Sequence, residues 1–366
     1  MTSAAYRTRT CSRSDRDLQA ELFNASFTKD LEAPELAWRY DEGPHGASVT
    51  LVTEELAADG AVRRAVSGYA CNPRRVLVRG EHAAKVGQTG DVMTHPDARG
   101  KGLFSELDRA CMRATAEAGW SAVFGLPNRK SAPLFVGKLG WNEIGAIRPH
   151  TFLLTGDARA RRARTREGRL AGLRAPLDAR RCARARQRLL AEADGLLVRQ
   201  VDAFPEATTA LARRVARDFD WMVDRDAAYL NWRFAANPSG LHRILVAERD
   251  GAFAGYAVVQ VPRRERPELA YLVDLLAPDA AVRAGLVAAG LGVCERSGAA
   301  AVEATAIDGG WWREQLAGFG FLPPKPENHL IVISYLHRAD DPVARAMLDA
   351  SRWYLTDGDR DDATMG

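Results

Sequence analysis

Apolar residues occur along this chain in short runs and in helix-spaced stripes, and the two kinds alternate. Val92-Met93-Thr94 reads as a strand, and Leu103, Leu107, Cys111 and Ala114 then fall on one face of a helix covering Phe104 to Glu117. Ala122-Val123-Phe124-Gly125 is a second strand-like run, followed by a polar turn and a short helix closed by Gly140. Upstream, Leu18, Leu22 and Phe27 mark an amphipathic helix that precedes an apolar strand at Ser48 to Val52. Strands interleaved with helices predict an α/β (α+β) fold.

The same landmarks return in the second half. Trp38-Arg39-Tyr40 followed by Pro44-His45-Gly46 corresponds to Trp232-Arg233-Phe234 followed by Pro238-Ser239-Gly240, at equal internal spacing. A helix with Leu211, Val215 and Phe219 precedes the second copy, and a strand from Arg243 to Ala247 follows it. Asp91-Val92-Met93 then matches Asp274-Leu275-Leu276, and Gly140-Trp141 matches Gly320-Phe321. Shared order over most of each half argues for two copies of one domain.

The copies differ after the matched Asp. In the first, His95-Pro96-Asp97-Ala98-Arg99-Gly100-Lys101-Gly102-Leu103 joins strand to helix. A Gly-rich turn at a helix start is an anion site, because its N–H groups converge and the helix terminus adds positive potential. Gly100 and Gly102 suit a backbone that must approach a phosphate. The turn is neither a Walker loop nor a dinucleotide fingerprint, since it lacks Gly-Lys-[Ser/Thr] and Gly-x-Gly-x-x-Gly. The second copy reads Ala277-Pro278-Asp279-Ala280-Ala281-Val282-Arg283-Ala284-Gly285, without the paired glycines.

Arg99 and Gly102, with His95-Pro96 before them, resemble motif A of the GNAT superfamily of CoA-dependent N-acyltransferases, [Arg/Gln]-x-x-Gly-x-[Gly/Ala]. Phe104 stands where that motif ends in a small residue. Asn128, Ser131, Pro133, Leu134, Phe135 and Gly140-Trp141 resemble motif B at similar spacing, with Phe135 where many members carry a Tyr that protonates the leaving thiolate. The resemblance covers residues 6–155 well and 197–337 weakly. It implies two tandem GNAT-like domains, each a mixed, mostly antiparallel sheet flanked by helices. The expected layout is a catalytic domain at 1–155, an Arg-rich linker at 156–196, a degenerate copy at 197–337 and an acidic tail at 338–366.

The resemblance also implies acetyl-CoA or another acyl-CoA as co-substrate. Val92, Met93 and Thr94 would hold the pantetheine in strand fashion, Arg99, Gly100, Lys101, Gly102, Leu103 and Phe104 the pyrophosphate, and Asn128 and Ser131 the pantetheine or 3′-phosphate side. Asp91 is the candidate base or amine anchor, the alternative being an ion pair with a nearby Arg. Strand alternation would put Asp91, Met93 and His95 on one face. The expected acceptor is a small-molecule amine.

Composition narrows little. The chain has 366 residues, 46% of them hydrophobic and 27% charged, with a net charge of +4. That charge does not by itself call for nucleic acid. Twelve arginines between 157 and 188 read as a solvated linker and helix face, with an acidic or nucleic-acid partner as the other reading. Met1 to Arg13 lacks an apolar signal segment, and no apolar run is long enough to span a membrane, so a cytoplasmic protein is expected. Five scattered cysteines and seven unclustered histidines indicate neither a disulfide framework nor a metal site. Two readings of the tail stay open: a frayed end, or Trp353 and Tyr354 pinned across the cleft, with Tyr354 as the phenol that Phe135 is not. A CoA-binding protein without turnover is the alternative to an enzyme.

Overall fold

The computed structural model describes residues 5–27, 30–82, 85–160, 169–193, 195–324 and 329–360. Its strands are β1 (Ala5–Thr10), β2 (Val49–Leu56), β3 (Val62–Arg74), β4 (Val76–Val78), β5 (Glu81–His82), β6 (Val86–Thr94), β7 (Ala122–Gly125) and β8 (Asn142–Leu153). They continue as β9 (Leu197–Val201), β10 (Trp221–Val223), β11 (His242–Arg249), β12 (Ala252–Gln260), β13 (Leu269–Leu276), β14 (Ala301–Ile307), β15 (Leu330–Leu336) and β16 (Trp353–Tyr354). The helices are α1 (Arg16–Phe27), α2 (Ala33–Asp41), α3 (Leu103–Glu117), α4 (Ala132–Lys138) and α5 (Arg169–Glu192), then α6 (Ala207–Val215), α7 (Ala227–Leu230), α8 (Ala280–Arg296), α9 (Trp311–Phe319) and α10 (Pro342–Ala346).

The chain divides into two compact units that cut across the expected boundaries. The first holds residues 1–76, 83–144 and 332–348, and the second holds 77–82, 145–331 and 349–366. The first unit therefore takes its last strand, β15, from late in the chain, and the second takes most of β8 from the first half.

Each unit repeats one sheet. In the first the order is β1-β2-β3-β6-β7-β15, and in the second β9-β11-β12-β13-β14-β8. Neighbours run antiparallel except for one parallel pair in the same place, β6 with β7 and β13 with β14. That match in order and orientation is the structural counterpart of the sequence duplication. Each parallel pair is short. β6 and β7 pair at Gly87–Gln88 with Val123–Phe124, and β13 and β14 at Leu269–Tyr271 with Ala301–Glu303. Beyond those residues the strands have no ladder partner on that side among the described residues, so each sheet opens into a gap.

Of the apolar stripe expected on α3, Leu103, Leu107 and Cys111 are buried and Ala114 is half-buried, while Met112, outside the expected stripe, is buried too. The Arg-rich segment is not simply a linker. Ala175, Cys182 and Leu189 of α5 join the core of the second unit, along one side of a helix whose Arg181 and Arg184 are exposed. Arg161, Arg162, Arg164 and Arg166 lie outside the described residues.

Candidate active site

β6 approaches its gap through a bulge. Gly68 pairs with Met93 and Ala70 with Gly90, so Asp91 and Val92 together face Tyr69, and Asp91 takes φ 49°. A bulge inserts a residue and re-aims side chains. The simple alternation expected for Asp91, Met93 and His95 therefore breaks. Met93 is buried, whereas Val92 and Thr94 are half-buried along the edge that β7 leaves free.

After β6, the segment Pro96–Ala98 makes one 3-10 turn and the chain then reaches α3. Gly100 has φ 80° and Gly102, the N-cap of α3, φ 81°. A Cβ on either would meet nothing within 4 Å. The glycines are thus required by left-handed backbone, not by protein crowding. Among the described residues, the N–H groups of Gly100, Lys101, Gly102, Leu103 and Phe104 have no protein acceptor. The Gly102 carbonyl accepts from the Ser105 and Glu106 amides, which starts the helix. Arg99 is exposed and donates to the Thr94 and Ser26 carbonyls, and Lys101 Nζ lies 2.8 Å from the Tyr6 hydroxyl. Leu103 is buried with Val66 and Ala98 and anchors the turn.

Asn128 and Ser131 shape the start of α4. Asn128 Oδ1 accepts from the Lys130 and Ser131 amides, and the Ser131 hydroxyl donates to the Asn128 carbonyl. The two departures from the family motifs touch each other. Phe104 meets Phe135 edge to face at 5.2 Å, and Phe135 meets Trp141 at 5.1 Å. Sequence reading treated them as separate exceptions. Their residue types at facing helix starts are the only signal of the pairing.

Trp141 also donates to Asp108, which accepts from the Tyr69 hydroxyl at 2.8 Å. Burial pushes the Asp108 carboxyl up to about 6, against the lowering effect of those two donors. Asp108 also lines a cavity of about 310 Å³ with Arg109, Met112, Arg113, Tyr335 and His337.

Asp91 takes the partner that the sequence left as the alternative. Arg39 Nη1 donates to both of its oxygens at 2.9 and 2.7 Å, and the Tyr40 hydroxyl donates at 2.7 Å. Burial, and next the negative charge of Asp91, push the Tyr40 phenol well above its ordinary range, so it remains a donor.

In its described part, up to residue 360, the tail is folded, and the Tyr354 hydroxyl is not free. Trp353 to Asp359 are all buried within the second unit. Tyr354 donates to the Leu275 carbonyl, packs edge to face with Phe219 at 4.9 Å and carries Arg225 over its ring. Its phenol is pushed well above the usual range, first by burial and then by Asp274. Asp361 and Asp362 lie outside the described residues.

Residues 7–144 match the model of the acetyltransferase (GNAT) domain, so the class is settled for that stretch. That stretch is a GNAT domain by its sequence, and each of the two units carries the same sheet order. Its fold resembles a probable N-acyltransferase of unknown function from Enterococcus faecalis V583, at TM-score 0.58 and 12% identity over 91% of this chain and 73% of that one. It also resembles a tandem GNAT protein from the clavulanic acid biosynthesis pathway, at TM-score 0.57 and 14% identity over 92% of this chain and 100% of that one. A third likeness is to Saccharomyces cerevisiae N-myristoyltransferase, whose structure holds myristoyl-CoA, at TM-score 0.58 and 11% identity over 93% and 86% of the two chains. No curated protein matches the chain. Among the described residues, no cluster of His, Cys, Asp and Glu could hold a metal, and no helix is long and apolar enough to cross a membrane.

Proposed function

We propose that the N-terminal unit transfers an acyl group, acetyl in the first instance, directly from acyl-CoA to the amine of a small molecule such as an amino sugar or another metabolite. One observation carries this reading. Among the described residues, five consecutive amides without protein acceptors stand at the start of a fifteen-residue helix, one 3-10 turn beyond a strand with a free edge. Unmet amides at a positive helix end fit a pyrophosphate. The free edge from Val92 to Thr94 fits an extended amide-bearing arm added in strand fashion. Asn128 and Ser131, exposed or half-buried where α4 starts, would line the same arm.

In the reaction the neutral amine attacks the thioester carbonyl carbon. A C–N bond forms, the C–S bond breaks, and CoA leaves as thiolate. The amine's proton must be removed, and the thiolate must finally gain one. Asp91 is the proposed amine anchor and proton acceptor. Because both its oxygens already accept from Arg39 and Tyr40, the proton reaches it through a bridging water. Phe135 has no proton to give, so the thiolate takes its proton from solvent.

Release of free thiol from acetyl-CoA across an amine panel tests the activity. Asp91→Asn should lower turnover by ~10²–10⁴-fold, the range for a positioned acid–base group, with acetyl-CoA affinity unchanged. Turnover within a few-fold of wild type would make Asp91 a structural ion pair. Phe135 favours a second reading, CoA binding without turnover. It predicts tight acetyl-CoA binding and no thiol release with any amine.

A further inference from the structure

In the second unit the sheet opens after Tyr271 and Glu303, and the C-terminal segment bridges the two diverging strands. On the β13 side, the Tyr354 hydroxyl donates to the Leu275 carbonyl and the Thr356 hydroxyl donates to Asp274 Oδ1 at 2.8 Å. On the β14 side, Asp357 accepts from the Thr305 amide at 2.5 Å, and Arg360 donates to the Thr305 hydroxyl at 3.0 Å. Charge fixes the segment as well. Arg225, itself 1% exposed, lies between Asp274 at 3.1 Å and Asp359 at 2.6 Å. Arg233 donates to the Gly358 and Arg360 carbonyls. A Cβ on Gly358 would come within 3.2 Å of Asp274 and Phe234, so the residue's smallness permits the close approach.

The helix after this gap is closed too. Asp279 is the N-cap of α8, and its carboxylate accepts the Val282 amide at 3.0 Å, where the corresponding helix of the first unit leaves its amides open.

We infer that the gap between β13 and β14 is a peptide site whose resident ligand is the chain's own segment 353–359, which clips the two strands together and keeps acyl-CoA out of the second copy. Seven consecutive buried residues, two of them acidic, would be costly to hold inside without such partners. The segment meets the Thr305 amide and the Leu275 carbonyl, backbone groups that an incoming arm would need. The inference rests on the proposed function only for the identity of the excluded ligand. The clip itself stands on contacts within the second unit.

Amide hydrogen exchange on the full-length protein, wild type and Asp357→Ala, tests it. The expected result is strong protection of the 353–359 amides and of the Thr305 amide in the wild type. In Asp357→Ala, exchange at Thr305 should rise at least tenfold while the first unit's affinity for acetyl-CoA stays unchanged. Exchange of 353–359 at the rate of an unstructured peptide, or an unaltered Thr305 amide in Asp357→Ala, overturns the inference. If Asp357→Ala does not fold, Asp357→Asn replaces it. It keeps an oxygen for Thr305 but loses the charge facing Arg360, so the 353–360 amides should lose protection by several-fold, and unchanged protection there overturns the clip. Failure of the acyl-transfer reading would appear separately, as wild-type protein that binds no acetyl-CoA yet keeps its exchange protection.

Discussion

In the first unit the chain leaves its gap through a 3-10 turn and two left-handed glycines, and α3 begins on Gly102, an N-cap without a side chain. In the second unit it passes from β13 into α8 within a few residues, and Asp279 supplies its own carboxylate to the helix start. The sheet order is the same on both sides. What differs is whether the helix amides and the strand edge have been given internal partners. On the proposed reading, a binding site in this fold is a set of backbone groups left unmet at defined places, and a copy that satisfies them from its own chain would lose it.

Another feature is common to both. Asp91 is held by Arg39 and Tyr40, and its counterpart Asp274 by Arg225 and Tyr256. Arg225 and Tyr256 are not the positions matched to Arg39 and Tyr40, so the same three residue types hold the bulged strand in both copies from different places. In the second copy Asp359 adds another acid to the same arginine. Arg225→Met should then strand two buried carboxylates and cost about 3–5 kcal/mol, the usual consequence of removing one partner of a buried pair. Arg39→Met strands one and should cost less. Denaturant unfolding of the two variants checks this order, and equal losses would mean that the second network is no more deeply committed than the first.

The helices after the gaps give the next contrast. α3 buries Asp108 against Tyr69 and Trp141, while the buried residues of α8 are apolar or glycine. With its pKa near 6 when folded, Asp108 holds its proton more tightly in the native chain than in the unfolded one. Its stabilising contribution is complete below the unfolded carboxyl pKa of about 3.9 and is lost as pH rises through about 6, a change of about 3 kcal/mol. Asp108→Asn should remove that slope. Stability curves of wild type and variant that stay parallel between pH 4 and 7 would contradict it.

A smaller effect separates the two helix starts directly. Gly102→Val forces a β-branched residue to φ 81° and should weaken acetyl-CoA binding by about 2 kcal/mol or more, given the strain and the loss of amide bonds to a charged group. Asp279→Asn in the second copy should leave that affinity untouched. Calorimetry on both variants checks the pair.

Much of the local structure of the proposed site was legible because it is set locally. The turn from His95 to Leu103, the α3 stripe and the Asn128–Ser131 turn are each set by a few adjacent residues. The duplication was legible from ordered landmarks. The bulge at Asp91 was not, because it is decided by register against β3. Exchange of β8 and β15 between units was hidden because an apolar strand does not name its partner. The tail's two readings could not be separated from sequence, since the Asp357-Gly358-Asp359 run is held by Arg225, Arg233 and Thr305, all more than fifty residues earlier. In the tail, the sole local hint was Trp353-Tyr354-Leu355, an apolar trio among charges.

The most direct test of the comparison is the number of acetyl-CoA molecules bound at saturation by the full-length chain, measured by calorimetry or native mass spectrometry. Open amides in one unit and self-satisfied ones in the other predict one per chain, abolished or strongly weakened by Gly102→Val. A reproducible value near two, or a single site that survives Gly102→Val unchanged, would contradict the account.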